Sequence, residues 1–305
     1  MSNQIENDLV DSISKFSNDP LGFVKFAYPW GEKQEELENE LVDVWQEKFL
    51  KALGEQCKNK KDDSPIRFAV SSGTSTGKTA LTSWIVQWFL STHLNPQVIV
   101  TANTADQIKT RTWRELRKWH DLLINKHWFD WLAKKYYLRK DPDKWYAHPI
   151  VWDENKPSAV QGIHEKNVLI IVDEASGLPK SIADALEGCS ATNKFIFIKF
   201  GNPNQASGDF YDCFHRNKNL WNRFYINALD TRKSNKALIE EWKEYYGTDS
   251  DQWKVRVLGQ FPSQSSLQFI SSKTVEDAIN RQVFEQVYKK FPIVLGVDVA
   301  RQGKD

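Results

Sequence analysis

The 305-residue sequence is short of cysteine, of methionine, of net charge and of long apolar runs. Its three cysteines, Cys57, Cys189 and Cys213, are scattered and form no Cys-x-x-Cys pair. That excludes a disulfide-stapled secreted scaffold and a zinc ribbon, and it fits a reducing cytoplasm. Lys and Arg number 41 against 40 Asp and Glu, a formal net charge of +1. Overall charge therefore argues for neither a nucleic-acid nor a membrane partner, and only a local patch could do so. No stretch approaches the ~18 apolar residues of a membrane span, and the polar N-terminus is no signal peptide. The six histidines (His93, His120, His127, His148, His164, His215) show no ligand spacing, and no Ser/His/Asp constellation can be placed. With 40% hydrophobic and 27% charged residues, the chain reads as globular, one large domain or one domain with part of another.

What is present in excess is tryptophan, 13 residues. Each ring buries a large area but needs a partner for its N–H, so the count implies an aromatic core or a set of rings on a binding surface. Along the chain, residues 1–27 read as helical with a break at Asp19-Pro20. Residues 32–53 read as one helix on the spacing of Leu37, Leu41, Val44, Trp45 and Phe49, followed by a polar loop over 54–65. Strands are predicted at 66–71, 98–101, 168–172 and 195–200, with a possible fifth at 223–228. Helices are predicted at 78–92 and 104–124. Continuous apolar strands alternating with helices predict a mostly parallel sheet covered on both faces. Residues 230–262 read as mostly helical, 263–292 as a linker with a helix near 273–290, and 293–299 as a fresh apolar strand.

Two motifs carry chemistry. Ser72-Gly73-Thr74-Ser75-Thr76-Gly77-Lys78-Thr79 lies between a predicted strand and a predicted helix. In that context backbone N–H groups and the helix N-terminus face phosphate, Lys78 reaches the β- and γ-phosphates, and the Thr79 hydroxyl ligates Mg²⁺. The strict pattern places Gly six residues before the Lys; here Ser72 holds that position and Gly73 comes one residue late. The second motif is the apolar run 168–172 ending in Asp173-Glu174. Asp173 is suited to hold Mg²⁺ and Glu174 to polarise the attacking water. Together they predict an α/β P-loop nucleoside triphosphatase of the RecA-like, additional-strand type. Gly201-Asn202-Pro203 reads locally as a turn, or as an amide that senses the γ-phosphate.

These segments resemble the large terminase subunits of tailed bacteriophages. The resemblance rests on Ser71–Thr79, on Val100-Thr101-Ala102-Asn103-Thr104, and on the tract from Arg111-Thr112-Trp113 to Trp119-His120. It rests also on Asp173-Glu174-Ala175-Ser176, Phe200-Gly201-Asn202-Pro203, Gly259-Gln260-Phe261-Pro262 and Gly296-Val297-Asp298-Val299-Ala300-Arg301. It implies an ATPase that drives double-stranded DNA into a procapsid, with a portal protein and a small terminase subunit as partners. It implies a homo-oligomeric ring when active, in the host cytoplasm and transiently on the procapsid. The implied plan is a helical segment over 1–65, an ATPase core over 66–262, a linker over 263–292, and the first strand of an RNase H-like nuclease domain over 293–305. Asp298 then matches the first carboxylate of a Mg²⁺ or Mn²⁺ nuclease site, which this chain would leave incomplete.

The resemblance also implies roles within the ATPase. Trp45-Gln46 matches an adenine-recognition position, although Trp45 read bottom-up continues an apolar stripe and is core. Gly73, Thr74, Ser75, Thr76, Gly77, Lys78 and Thr79 bind the nucleotide, and Asn202 couples hydrolysis to movement. Many relatives carry Arg-Gly before the second motif, where this sequence has Gln161-Gly162. An arginine finger can contribute ~10³–10⁵ in rate, and Arg111, Arg114, Arg216 and Arg232 are alternatives for it. Competing readings are a DNA helicase or translocase of the same class, or a prophage-remnant module that does not turn over. Finally, Lys109, Arg111, Arg114, Arg117, Lys118, Lys126, Lys134, Lys135, Arg139 and Lys140 interleave with aromatic residues across 109–146. That stretch is either a grip on a DNA backbone or a solvated face over a tryptophan-rich core.

Overall fold

The computed structural model describes residues 3–60, 64–154, 165–191, 194–263, 272–282 and 289–292. The chain opens with α1 (Asn3–Ser14) and α2 (Pro20–Ala27). The break between them is built by Asp19, whose carboxylate accepts from the Gly22 N–H at 3.0 Å, with Pro20 in the first helical position, where its missing N–H costs nothing.

The next helix differs from the sequence expectation. Residues 32–43 run in turns, and α3 spans Val44–Asn59. Leu41 and Val44, which fit the helical stripe on paper, are 57% and 52% exposed, whereas Leu37, Trp45 and Phe49 are buried. The helix begins where the Gln46 side chain reaches back to accept the Asp43 N–H at 3.0 Å, a capping arrangement that competes with continuing the helix backwards. It then runs on through the stretch expected as loop, because Leu53 and Cys57 extend its buried face.

Eight strands form one sheet: β1 (Ile66–Ser72), β2 (Pro96–Ala102), β3 (Phe129–Leu132), β4 (Lys135–Leu138), β5 (Tyr146–Val151), β6 (Asn167–Val172), β7 (Lys194–Gly201) and β8 (Asn222–Ile226). Their order is β3-β4-β5-β2-β6-β7-β1-β8. From β5 to β8 every pairing is parallel, as the apolar strands predicted. The β3–β4–β5 extension is antiparallel and was not legible. Its strands are short, and β5 contains Pro149, tolerable there because a proline N–H is not needed at every ladder position.

Along the central strands, successive side chains feed two different cores, as a period of two requires when both faces are covered. Phe68, Val70, Leu169 and Ile171 pack on one side; Ala69, Val168, Ile170 and Val172 pack on the other. The first side is filled by α4 (Lys78–Thr92), which is buried almost all round. Over it lies a helix expected as one piece, 104–124. It is in fact α5 (Ala105–Gln107), a π-helical turn (Ile108–Thr112) and α6 (Trp113–Leu122). The opposite face carries α7 (Lys180–Glu187) and α8 (Asp209–Phe214). There the β7 residue Lys199 is wholly buried, paired with Asp209 at 2.5 Å and lying over the Trp221 ring at 4.4 Å.

The tryptophans are staples between elements. Trp88 donates to the Phe16 carbonyl at 2.8 Å, Trp113 to Leu132 at 2.7 Å and Trp145 to Leu90 at 2.7 Å. Each buries a ring and satisfies its N–H on another segment's backbone. Trp113, Trp119 and Tyr136 of the basic aromatic stretch are thus core, while Arg111, Arg114, Arg117 and Lys118 stay exposed.

After β8 come α9 (Lys236–Tyr246), α10 (Asp251–Trp253) and a second π-helical turn (Lys254–Leu258) ended by Gly259 at φ +64°. The chain divides into two compact units, Met1–Ser265 and Ser266–Asp305. In the second, α11 (Ser272–Asn280) is described. Gln161, the strand expected at 293–299 and Asp298 lie outside the described residues. Among the described residues no helix is long and apolar enough to cross a membrane.

Candidate nucleotide site

The ends of β1, β6 and β7 converge on an open cleft of about 520 Å³. Lys78, Thr79, Asp173, Glu174 and Asn202 all line it, so residues up to 124 positions apart meet where an open α/β sheet binds its ligands. The strand order explains why. β7 lies between β1 and β6, and Asn202 follows β7 directly, between the phosphate-loop strand and the acidic strand.

The loop that follows β1 is held by hydrogen bonds on every side. Lys78 Nζ donates to Ser72 Oγ at 2.7 Å, with the Gly73 carbonyl and Asn202 Oδ1 each at 3.4 Å. Asn202 Nδ2 donates to the Ser72 carbonyl at 2.8 Å, so one amide bridges the loop backbone and the ammonium. Thr76 Oγ1 donates to Ser72 Oγ at 3.2 Å. Thr74 and Ser75 are exposed at the loop tip, and Ser75 takes φ +58°. Gly77, at φ +88°, caps α4 in a left-handed conformation that a side chain would strain. Burial pulls the Lys78 ammonium below its usual pKa, opposed by the charges of Asp173 and Glu174.

Trp45 and Gln46 stand directly against this loop. Trp45 Nε1 donates to the Thr76 carbonyl at 2.9 Å and Gln46 Nε2 to the Gly77 carbonyl at 3.0 Å. The Gln46 oxygen is already engaged by Asp43 N–H. Asp43 in turn accepts from the Arg232 N–H at 2.6 Å. Both side chains therefore brace the loop backbone, and Trp45 is also buried in the core.

The displaced glycine has a physical reason. A Cβ on Gly73 would stand 2.5 Å from the Val257 carbonyl oxygen and 2.9 Å from that of Arg256. The second π turn passes across the loop at this point. Thr74 N–H donates to the Arg256 carbonyl at 2.8 Å, Ser71 Oγ to the Gly259 carbonyl at 2.7 Å, and Gly73 N–H to Ile226 at 2.9 Å. The loop thus needs its glycine at 73, where the backbone from 256–257 approaches, and tolerates Ser72 one residue earlier.

On the acidic side, Asp173 N–H donates to the Thr101 carbonyl at 2.8 Å. Its carboxylate accepts from Thr112 Oγ1 at 2.8 Å and from the Glu174 N–H at 3.1 Å. Glu174 takes φ +57°, a left-handed conformation uncommon for a glutamate, and such strain clusters at functional positions. Burial first, then the neighbouring Asp173, push its pKa above the usual glutamate value, while Lys78 and Arg111 oppose the rise. Among the described residues no cluster of three or more His, Cys, Asp or Glu could hold a metal by itself. Thr79 and Asp173 are hard oxygen donors that fit a divalent ion shared with phosphates. Thr112 and the 256–259 segment went unassigned in the sequence. Their signal was membership of the Arg111-Thr112-Trp113 and Gly259–Pro262 tracts, which carried resemblance without a role.

No protein-family profile matches the chain. It is 26% identical over 247 residues to the probable terminase large subunit of Enterobacteria phage P7, covering 76% of this chain. The chain spans about half the length, 49%, of that curated relative. Among solved structures, the large terminase of bacteriophage HK97 superposes with a TM-score of 0.60 at 14% identity, covering 80% of this chain and 55% of that one. The large terminase of the thermophilic bacteriophage D6E, in complex with ADP, superposes with a TM-score of 0.53 at 15% identity, covering 73% and 54%. Over the parts superposed, the chain shares the fold of these large terminases.

Proposed function

From kinship with the phage large terminase subunits as premise, we propose that this chain is the ATP-hydrolysing motor of viral DNA packaging. The observation that carries the reading is the cleft itself. A lysine at the head of a helix, an acid pair on the next-but-one strand and an amide between them line one opening. Lys78 draws charge off the transferring phosphoryl group, and the loop N–H groups and the α4 N-terminus hold the remaining phosphates. Glu174 takes the proton of the attacking water; its raised pKa brings it nearer the operating range of a base. Thr79 and Asp173 would hold Mg²⁺, which would supply Lewis-acid stabilisation of phosphate charge. Asn202 is the sensor. Its amide touches Lys78 and the Ser72 carbonyl, so a γ-phosphate competing for Lys78 would be felt at the end of β7. Double-stranded DNA, a portal protein and a small terminase subunit are the partners of this reading.

The test is steady-state hydrolysis by the purified chain. Lys78→Ala should lower turnover by ~10²–10³, the usual effect of deleting a preorganised charge at a developing anion. Glu174→Gln should keep nucleotide affinity and lose turnover. Wild-type rates in both variants would sink the reading.

A further inference from the structure

Four cations line the cleft: Lys78, Arg111, Lys118 and Lys233. Three are already engaged. Lys78 is held by Ser72, Gly73 and Asn202. Lys233 pairs with Glu40. Lys118 lies over the Trp119 ring, 5.8 Å from its centroid. Arg111 is exposed, and among the described residues it forms no ion pair. Of the four arginines that were alternatives for a finger, Arg111 alone lines the cleft; Arg114, Arg216 and Arg232 do not.

The backbone at this point is unusual. Residues 108–112 form a π-helical turn, closed by the Trp113 N–H on the Ile108 carbonyl, and such turns recur at functional sites. The adjoining residue, Thr112, is buried and donates to Asp173 at 2.8 Å. The turn is therefore fastened to the acidic strand through Thr112, and the next residue up the chain is set at the rim of the same cleft. In a regular α-helix consecutive side chains diverge by about 100°; here two consecutive residues serve one site. A guanidinium matches the oxygens of a phosphate through two parallel N–H donors, which an ammonium cannot.

We propose that Arg111 is the cation this chain supplies to its own transferring phosphoryl group, in the same subunit, as a catalytic residue. The proposal rests on the reading of the cleft as an ATP site. It places the charge within the subunit and makes the residue at 161 dispensable for it.

The experiment uses the full 305-residue chain and MgATP. Arg111→Ala should lower kcat by ~10²–10³ while the affinity for a fluorescent ATP analogue stays within a few-fold. Arg111→Lys should fall between, and millimolar guanidinium ion should partly restore Arg111→Ala without raising the wild type. A merely structural residue would give no such rescue. Arg114→Ala, outside the cleft, should turn over normally. Mixing Arg111→Ala subunits with Glu174→Gln subunits should not restore hydrolysis, because neither holds base and cation together. Restoration on mixing would overturn the proposal in favour of a cation acting between subunits. Wild-type kcat in Arg111→Ala, with Lys78→Ala inactive, would overturn it while leaving the ATP site standing. A wild type with no turnover would overturn both.

Discussion

Replacing Gly73 by alanine is a one-carbon change with a consequence that can be worked from the packing. The new Cβ would meet two carbonyl oxygens, at 2.5 Å and 2.9 Å, and the Ala228 Cβ at 2.9 Å. None is the tip of a flexible side chain that could swing away. The 256–257 backbone must therefore retreat, and with it the acceptor of the Thr74 N–H. Overpacking of this kind costs about 1–3 kcal/mol, and loss of the Thr74 hydrogen bond at the exposed loop tip about 0.5–1.5 kcal/mol. A total of roughly 1.5–4.5 kcal/mol follows, and at ~2–4 °C per kcal/mol for a unit of this size the melting temperature should fall by about 3–18 °C. If the loop moves instead of the strap, the loss appears as weaker nucleotide binding. The sharper variant is the double exchange Ser72→Gly with Gly73→Ser. It restores glycine to the strict position six residues before Lys78, so a purely pattern-based view expects improvement. The packing expects damage at least as great as for Gly73→Ala, because Ser72 Oγ also loses its contact with Lys78. Thermal melts with nucleotide titration measure both losses. Unchanged melting temperature and affinity in either variant would refute the close-approach argument.

Other expectations concern the surroundings of the cleft. Trp45→Phe keeps the ring in the core but removes the donor to the Thr76 carbonyl, and should cost about 1 kcal/mol of stability and several-fold in nucleotide affinity by isothermal titration. Asp209→Ala strands the buried Lys199 ammonium and should destabilise by about 3–5 kcal/mol; the pair Lys199→Met with Asp209→Leu should recover most of that in urea melts. His120 is buried against Tyr136, and burial lowers its pKa from 6.5 to about 4. A base with a depressed folded-state pKa favours the unfolded chain as it protonates. Its contribution to stability is thus complete above pH 6.5 and drains away down to about pH 4. His120→Gln should flatten that part of the stability–pH curve, and an identical slope in wild type and variant would refute the assignment.

Much of the central sheet could be read directly from the sequence. The run 168–172 and the helix 78–92 were legible because their information is local: five consecutive apolar residues, and a Gly-Lys-Thr start followed by an apolar stretch. What could not be read depended on distant partners. Leu41 and Val44 fit a helical stripe as well as Leu37 and Phe49 do, and only the Gln46 side chain closing on Asp43 decides where the helix starts. The hairpin of β3 and β4 is built on four-residue strands whose aromatic side chains resemble a binding stripe until the burial of their own Phe129 and Tyr136 is known. At the site, the lysine, the acid pair and Asn202 were identified as residue types in pattern. Thr112, Arg111's place in the cleft and the strap at 256–259 follow from a π turn and from a contact between Ser71 and Gly259, 188 positions apart, for which no periodicity exists.

That last separation sets a clock. At a synthesis rate of about 5–20 residues per second, roughly 10–40 s pass between the emergence of Ser71 and that of Gly259. Throughout that interval the phosphate loop has its lysine but not the carbonyls of Arg256 and Gly259 that fix Thr74 and Ser71. A nascent chain can therefore lay down β1, α4 and the acidic strand without owning a finished nucleotide cradle. The turn at 254–258 is what completes the loop after the first strand, so the cleft gains its full set of backbone contacts only when nearly all of the first compact unit has been made.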